Sequence, residues 1–208
     1  MATCTLALGS LAQLAPLLTE RACGELPTNA DVVVVPTAAA FTGGAEAAVA
    51  VARALEGMDL RVEALLVMDR TSASDPYFVQ RIAEADLVVL SDGSALHART
   101  VWRGSPVGDA INASDRVVAV GGVATVLGDV MIDPRGGAPT IGLGYRSGVI
   151  LCTLASSDQL ARTRALLSSD DLLVTLGPRG AVSCLEGVWR LVRSDDAVVT
   201  RGSELAIL

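Results

Sequence analysis

The chain contains no lysine: all 16 of its basic residues are arginines. That excludes Schiff-base chemistry, a P-loop lysine and a serine–lysine dyad. Histidine is almost missing as well, with His97 the single copy. A metal site of several histidines is therefore excluded, and any histidine acting as general base must be this one. Aromatic residues make up only 3% of the sequence, so the core must be aliphatic. The four cysteines (Cys4, Cys23, Cys152, Cys184) include no Cys-x-x-Cys pair. They read as reduced, buried thiols of a cytoplasmic protein. No apolar run approaches the ~18 residues of a membrane span, and the start of the chain lacks a basic segment, so neither a span nor a signal peptide is expected. The formal charge of -7, from 16 basic and 23 acidic residues, argues against nucleic-acid or anionic-membrane partners. Binding phosphate requires clustered cations.

What is present is an aliphatic α/β pattern. Hydrophobic residues are 51% and charged residues 19% of the 208, which fits a single domain over 1–208 with a sizeable core. Strand-length apolar runs alternate with helix-length segments. Strands are expected at 3–8, 31–36, 60–67, 86–90, 117–120 and 148–154. Helices are expected at 11–23, 45–55, 75–85, 95–102, 106–112 and 157–167. Asp31-Val-Val-Val-Val-Pro36 is apolar on consecutive positions, as in a strand buried on both faces. Asp75-Pro76 is a helix start, with aspartate at the N-cap and proline at N1. Residues 131–144, rich in glycine and proline, read as an ordered loop. The last third holds short strands at 172–176, 181–185, 188–192 and 197–200, expected to form antiparallel hairpins on one edge of the sheet. The alternation implies a mainly parallel sheet with helices on both faces. Function in such sheets sits at the carboxyl ends of the strands, here 36–39, 69–70, 91–94 and 121–125.

The stretch Arg116-Val-Val-Ala-Val-Gly-Gly-Val-Ala-Thr-Val-Leu-Gly-Asp129 is the most informative. It reads as a buried strand running into a helix through Gly121-Gly122, the arrangement in which many hydrolases hold a nucleophile on a strained elbow. Val33-Val-Val-Pro-Thr-Ala-Ala39, Met68-Asp-Arg70, Ala85-Asp-Leu-Val-Val-Leu-Ser-Asp-Gly93 and Leu127-Gly-Asp-Val-Met-Ile-Asp-Pro-Arg-Gly-Gly137 stand around it. Together these segments resemble the peptidase E and cyanophycinase family of serine peptidases. The resemblance covers nearly the whole chain. It implies the flavodoxin-like, three-layer architecture shared with class I glutamine amidotransferases, and no cofactor or metal is expected.

The resemblance does not extend to the catalytic residues. The family elbow reads Gly-x-Ser-Ala-Gly-Ala, and its serine falls on Gly121. The family histidine would lie within 152–159, which contains none, upstream of Arg162 and Arg164. The family acid falls on the turn Leu176-Gly-Pro-Arg-Gly-Ala181. A catalytically degenerate member is therefore expected, binding a small molecule, a peptide or a protein partner at the former active-site edge; a third reading is a purely structural subunit of a homo- or hetero-oligomer. Gly93, Gly121, Gly122, Asp92 and Arg70 are the candidate binding residues. The backbone N–H groups of Gly93 and Gly122 are expected to keep an anion or carbonyl site. Asp92, which replaces a glycine of the family, would repel acidic substrates. The alternative is an active hydrolase with a relocated nucleophile, Ser91, Ser94 or Thr125, served by His97. Cys152 has no neighbouring base in sequence and reads as inert. Asp129, Asp133 and Arg135 read as a loop-holding charge group or a dimer contact.

Overall fold

Consecutive valines build the centre of the molecule. The computed structural model describes residues 3–153, 155–202 and 204–208. Its strands and helices follow in the order β1 (Cys4–Leu8), α1 (Leu14–Thr19), β2 (Ala30–Val35), α2 (Gly44–Ala54), β3 (Leu60–Ala64), α3 (Pro76–Glu84), β4 (Leu87–Leu90), α4 (Ala95–Trp102), α5 (Pro106–Ala113) and β5 (Arg116–Val120). Then come β6 (Val130–Ile132), β7 (Pro139–Ile141), β8 (Ile150–Thr153), α6 (Ser157–Leu166), β9 (Leu172–Leu176), β10 (Ala181–Leu185), β11 (Val188–Arg193), β12 (Ala197–Arg201) and β13 (Glu204–Leu205). Among the described residues, seven strands form the main sheet in the order β11-β10-β1-β5-β4-β2-β3. The five from β1 to β3 in that order run parallel, and β10 and β11 add an antiparallel edge.

Strand side chains alternate between two cores. Val33, Val35, Val88, Leu90, Val117 and Ala119 face α3, α4 and α5, meeting Ile82, Ala98, Val101, Trp102 and Ile111. Val32, Val34, Leu87, Val89, Val118 and Val120 face the opposite side, against Leu14, Leu17 and Leu18 of α1, Ala48 and Val51 of α2, and Leu55 at its end. The chain is thus a three-layer α/β sandwich. The edge strand β3 is exposed and carries Arg61, which forks onto the Asp31 carboxylate with two bonds of 2.7 Å. A charged edge discourages pairing with another sheet.

Local signals set most boundaries. Asp75 caps α3 by accepting from Tyr77 N at 2.9 Å, with Pro76 at the first helical position. Four expectations need correction. The helix expected over 11–23 is a 3₁₀ turn followed by α1, and it ends early because Arg21 takes a left-handed conformation at φ +61°. The elbow runs into a 3₁₀ turn, Gly121–Val126, instead of an α-helix. Its last carbonyls are taken from outside: Leu143 N donates to Val126 O, and Tyr145 N and Arg146 N both donate to Leu127 O, each at 2.8 Å. Residues 131–144 are not all loop, since β6 and β7 form a short antiparallel pair. The C-terminal strands do not share one edge. β10 and β11 join the main sheet, while β9 and β12 combine with β8 and β13 in a second, four-stranded sheet. The turn at Gly177–Gly180 carries the chain between the two, pinned by Gly9 N donating to Gly180 O at 2.9 Å. The strand expected over 148–154 is found as β8, and its expected last residue, Leu154, lies outside the described residues. No helix among the described residues is long and apolar enough to cross a membrane.

One buried polar chain ties the layers together near the carboxyl ends of the strands. Trp102, fully buried, donates from Nε1 to Thr37 Oγ1 at 3.1 Å, and Thr37 Oγ1 donates to Val67 O at 2.7 Å. This links α4, the Thr37–Ala39 turn after β2, and the chain after β3. Thr37→Val should leave the indole N–H and the Val67 carbonyl unpaired, costing about 1–3 kcal/mol for each buried group. Trp102→Ala should cost about 3–5 kcal/mol, both read by urea unfolding.

Candidate functional site

The turns that follow β4 and β5 lie side by side, because β4 and β5 are hydrogen-bonded neighbours. The first turn carries Ser91, Asp92, Gly93 and Ser94, and the second carries Gly121 and Gly122. Gly121 has φ +61°, a left-handed conformation that strains any residue with a Cβ. Glycine at the tip of the elbow takes that conformation without strain and offers no side chain. Gly93 is also at positive φ, and a Cβ there would fall on the Ala38 carbonyl. Ser94 N donates to that same carbonyl at 2.7 Å, which seats the first turn on the Thr37–Ala39 turn.

The Asp92 side chain closes the gap between the two turns. Its Oδ1 accepts from Gly93 N at 2.7 Å and from Gly122 N at 2.7 Å. These two N–H groups would make an oxyanion hole beside the elbow, and a carboxylate oxygen already sits in it. A Cβ added to Gly121 would land on the Asp92 carboxylate carbon and both its oxygens, far inside contact distance. The carboxylate thus fills the space over Gly121 where a serine side chain would stand.

The other candidate residues point elsewhere. Ser94 Oγ caps α4, accepting from His97 N at 3.3 Å. Thr125 Oγ1 donates to Gly122 O at 2.9 Å, and buried Ser91 donates to Asp92 O at 3.4 Å. The His97 ring meets Met68 O through Nε2 at 2.8 Å and packs edge-on against Phe41. Among the described residues no hydroxyl of Ser91, Ser94 or Thr125 bonds to that ring. Arg70 donates from Nη1 to Thr100 O and Arg103 O, at 2.8 and 3.0 Å, so it serves the end of α4. Cationic side chains at a helix C-terminus are favoured by its unpaired carbonyls.

Beneath Asp92 opens a pocket of about 370 Å³. Gly93, Ala95, Gly122 and Thr125 form one wall, and Ile132, Pro134, Cys152, Ala155 and Gln159 form the other. Burial pushes the Cys152 thiol up to about 11, which leaves it a poor nucleophile. Asp133 lies at the rim, and Arg135 grips it with bonds of 3.0 and 2.7 Å. That hydrogen bonding, with the Arg135 backbone N–H, holds the Asp133 carboxyl below its usual range. The far wall was missed in the sequence. Ser156 and Gln159 form a capping box, and Gln159 Nε2 donates to Pro134 O at 2.9 Å. Thr163 Oγ1 donates to Gly137 O at 2.7 Å. These bonds fold residues 133–137 back onto α6. The Ser-x-x-Gln spacing was a legible helix-start signal for that wall.

A substitution cycle tests the packing of the elbow. Gly121→Ser should destabilise the protein strongly, because it adds both the clash and the strained conformation. In an Asp92→Gly background the clash is gone, and the penalty should fall to about 1–3 kcal/mol, the cost of the strained backbone alone. The difference, read from urea midpoints, is the coupling between positions 92 and 121.

No family model matches the chain, and no curated protein matches its sequence. Solved structures do match its fold. A peptidase from an acI-B1 Actinobacterium superposes with a TM-score of 0.77 at 18% identity, covering 100% of this chain and 94% of that one. A protein of Listeria monocytogenes EGD-e assigned to peptidase E superposes at 0.60 with 14% identity, covering 97% and 99%. The chain has a peptidase E-like fold over essentially its full length.

Proposed function

We propose that this chain is a catalytically inactive peptidase E-like protein that uses the cleft at the carboxyl ends of β4 and β5 to bind. The observation that carries this reading is the Asp92 carboxylate over Gly121, held by Gly93 N and Gly122 N. Acyl transfer by a serine peptidase needs a nucleophile on the elbow and free donors for the developing oxyanion. Glycine supplies no nucleophile. Donors of this kind are worth about 2.7–4 kcal/mol each in a transition state, but only when unoccupied. Here a side chain that is itself an anion holds both.

The bonding of Ser91, Ser94 and Thr125 to backbone groups, and of His97 to Met68 O, supports the same reading. A general base must reach the proton it takes, and here the imidazole is turned to another partner. A fluorophosphonate probe is expected to leave the folded protein unlabelled, and aspartyl dipeptides are expected to stay intact. Labelling mapped by mass spectrometry to Ser91, Ser94 or Thr125 and lost in His97→Ala would establish the active alternative.

A further inference from the structure

We infer that the pocket below Asp92 takes a ligand with one protonated amine on an apolar body. This rests on the reading of the cleft as a binding site and adds the chemical class it selects. Two carboxylates reach the pocket, Asp92 and Asp133, and among the described residues no arginine lines it. The two differ in what they leave free. Asp133 is matched by the Arg135 guanidinium in a forked pair, so together they add no net charge. Asp92 has no cationic partner among the described residues. Two backbone N–H groups hold its Oδ1 and fix its direction, but they do not neutralise it. No described donor reaches its Oδ2. One oriented negative charge without a cationic partner among the described residues therefore lines the pocket.

Much of the rest of the lining is apolar, with hydroxyls of Thr42, Ser94 and Thr153 added to it. Ala95, Ile132, Pro134, Cys152 and Ala155 supply apolar surface. Thr125 Oγ1 donates to Gly122 O, Gln159 Nε2 donates to Pro134 O, and Gln159 Oε1 accepts from Ser156 N. A carboxylate-bearing ligand would meet Asp92 with like charge, and its natural donors, Gly93 N and Gly122 N, are taken. An ammonium gains a charge-assisted hydrogen bond to Oδ2, while its apolar part buries surface below. The volume of about 370 Å³ lies at the small end of ligand pockets, which limits that part to a short chain or one ring. A free amine and the amino terminus of a peptide share this chemistry.

Calorimetric titration of the intact protein with hexylamine, hexanol, hexanoate and leucyl-glycinamide tests the assignment. Hexylamine or leucyl-glycinamide should bind more tightly than hexanol, and hexanoate most weakly; the tighter of the two ammonium probes identifies the source. Asp92→Asn keeps the acceptor for both N–H groups and removes the charge. It should weaken ammonium binding by about tenfold or more and leave hexanol unchanged. In the unmutated protein, added salt should weaken the ammonium probes and spare hexanol, a readout that does not depend on any variant folding. Ala155→Leu, which fills the pocket, should abolish binding of all of them. Equal affinities, tighter hexanoate, no binding by any probe, or a preference that survives Asp92→Asn would each overturn the inference while leaving the inactive reading intact. Cleavage of leucyl-glycinamide during the titration would instead overturn the inactive reading.

Discussion

A single carboxylate oxygen shared by two backbone amides organises the carboxyl ends of β4 and β5. Asp92 Oδ1 joins the turn after β4 to the turn after β5 through Gly93 N and Gly122 N. Three features depend on that bond pair. The residue at 121 must be glycine, since any Cβ would overlap the carboxylate. The two amides, which point into the cleft with no helical partner, are satisfied without water or ligand. The pocket below receives a negative charge of fixed direction. Removing the bond pair would free the hole and the space above the elbow at once.

The scaffold around it explains how the elbow is held with glycine at its tip. Gly121 takes its left-handed conformation where the strand enters the turn, and the loop at 142–146 takes the carbonyls at the far end of that turn. Glycine meets that conformation at no steric cost, whereas a serine there would store strain. Glycine at 121 and aspartate at 92 are therefore complementary: one vacates the space and the other fills it. The buried Trp102–Thr37–Val67 chain holds α4 and the Thr37–Ala39 turn in place, and Gly93 packs against that turn.

Much of the fold was legible in the chain itself. Val32–Val35 and Val88–Leu90 advertise strands buried on both faces, and Asp75-Pro76 marks a helix start that the structure places at Pro76. The break of the C-terminal third into two sheets was not legible. Short apolar strands of similar composition pair equally well with several neighbours, and only the turn at Gly177–Gly180, docked on Gly9, sends β10 to β1 and leaves β9 with β8. The elbow departs from the expected α-helix for a related reason. Its sequence carries helical spacing, but its carbonyls are claimed by residues some 17 positions further along.

Sequence alone determined that the chemistry open to this chain is narrow. Without lysine, with one histidine and with glycine at the elbow, Schiff-base and multi-histidine metal sites are excluded by composition, and the elbow itself carries no nucleophilic side chain. Tertiary structure alone decided where the remaining polar groups point. Arg70 and His97 lie close in sequence to the strand ends, yet their side chains go to the end of α4 and to Met68 O. Asp92 goes into the hole and Asp133 onto Arg135. Residue types follow from the chain, but Arg70, His97 and the Asp92 bond to Gly122 reach partners 29 or more positions away, while Asp92–Gly93 and Asp133–Arg135 are local. Hydrogen bonds of that range form only after the sheet has brought the turns together.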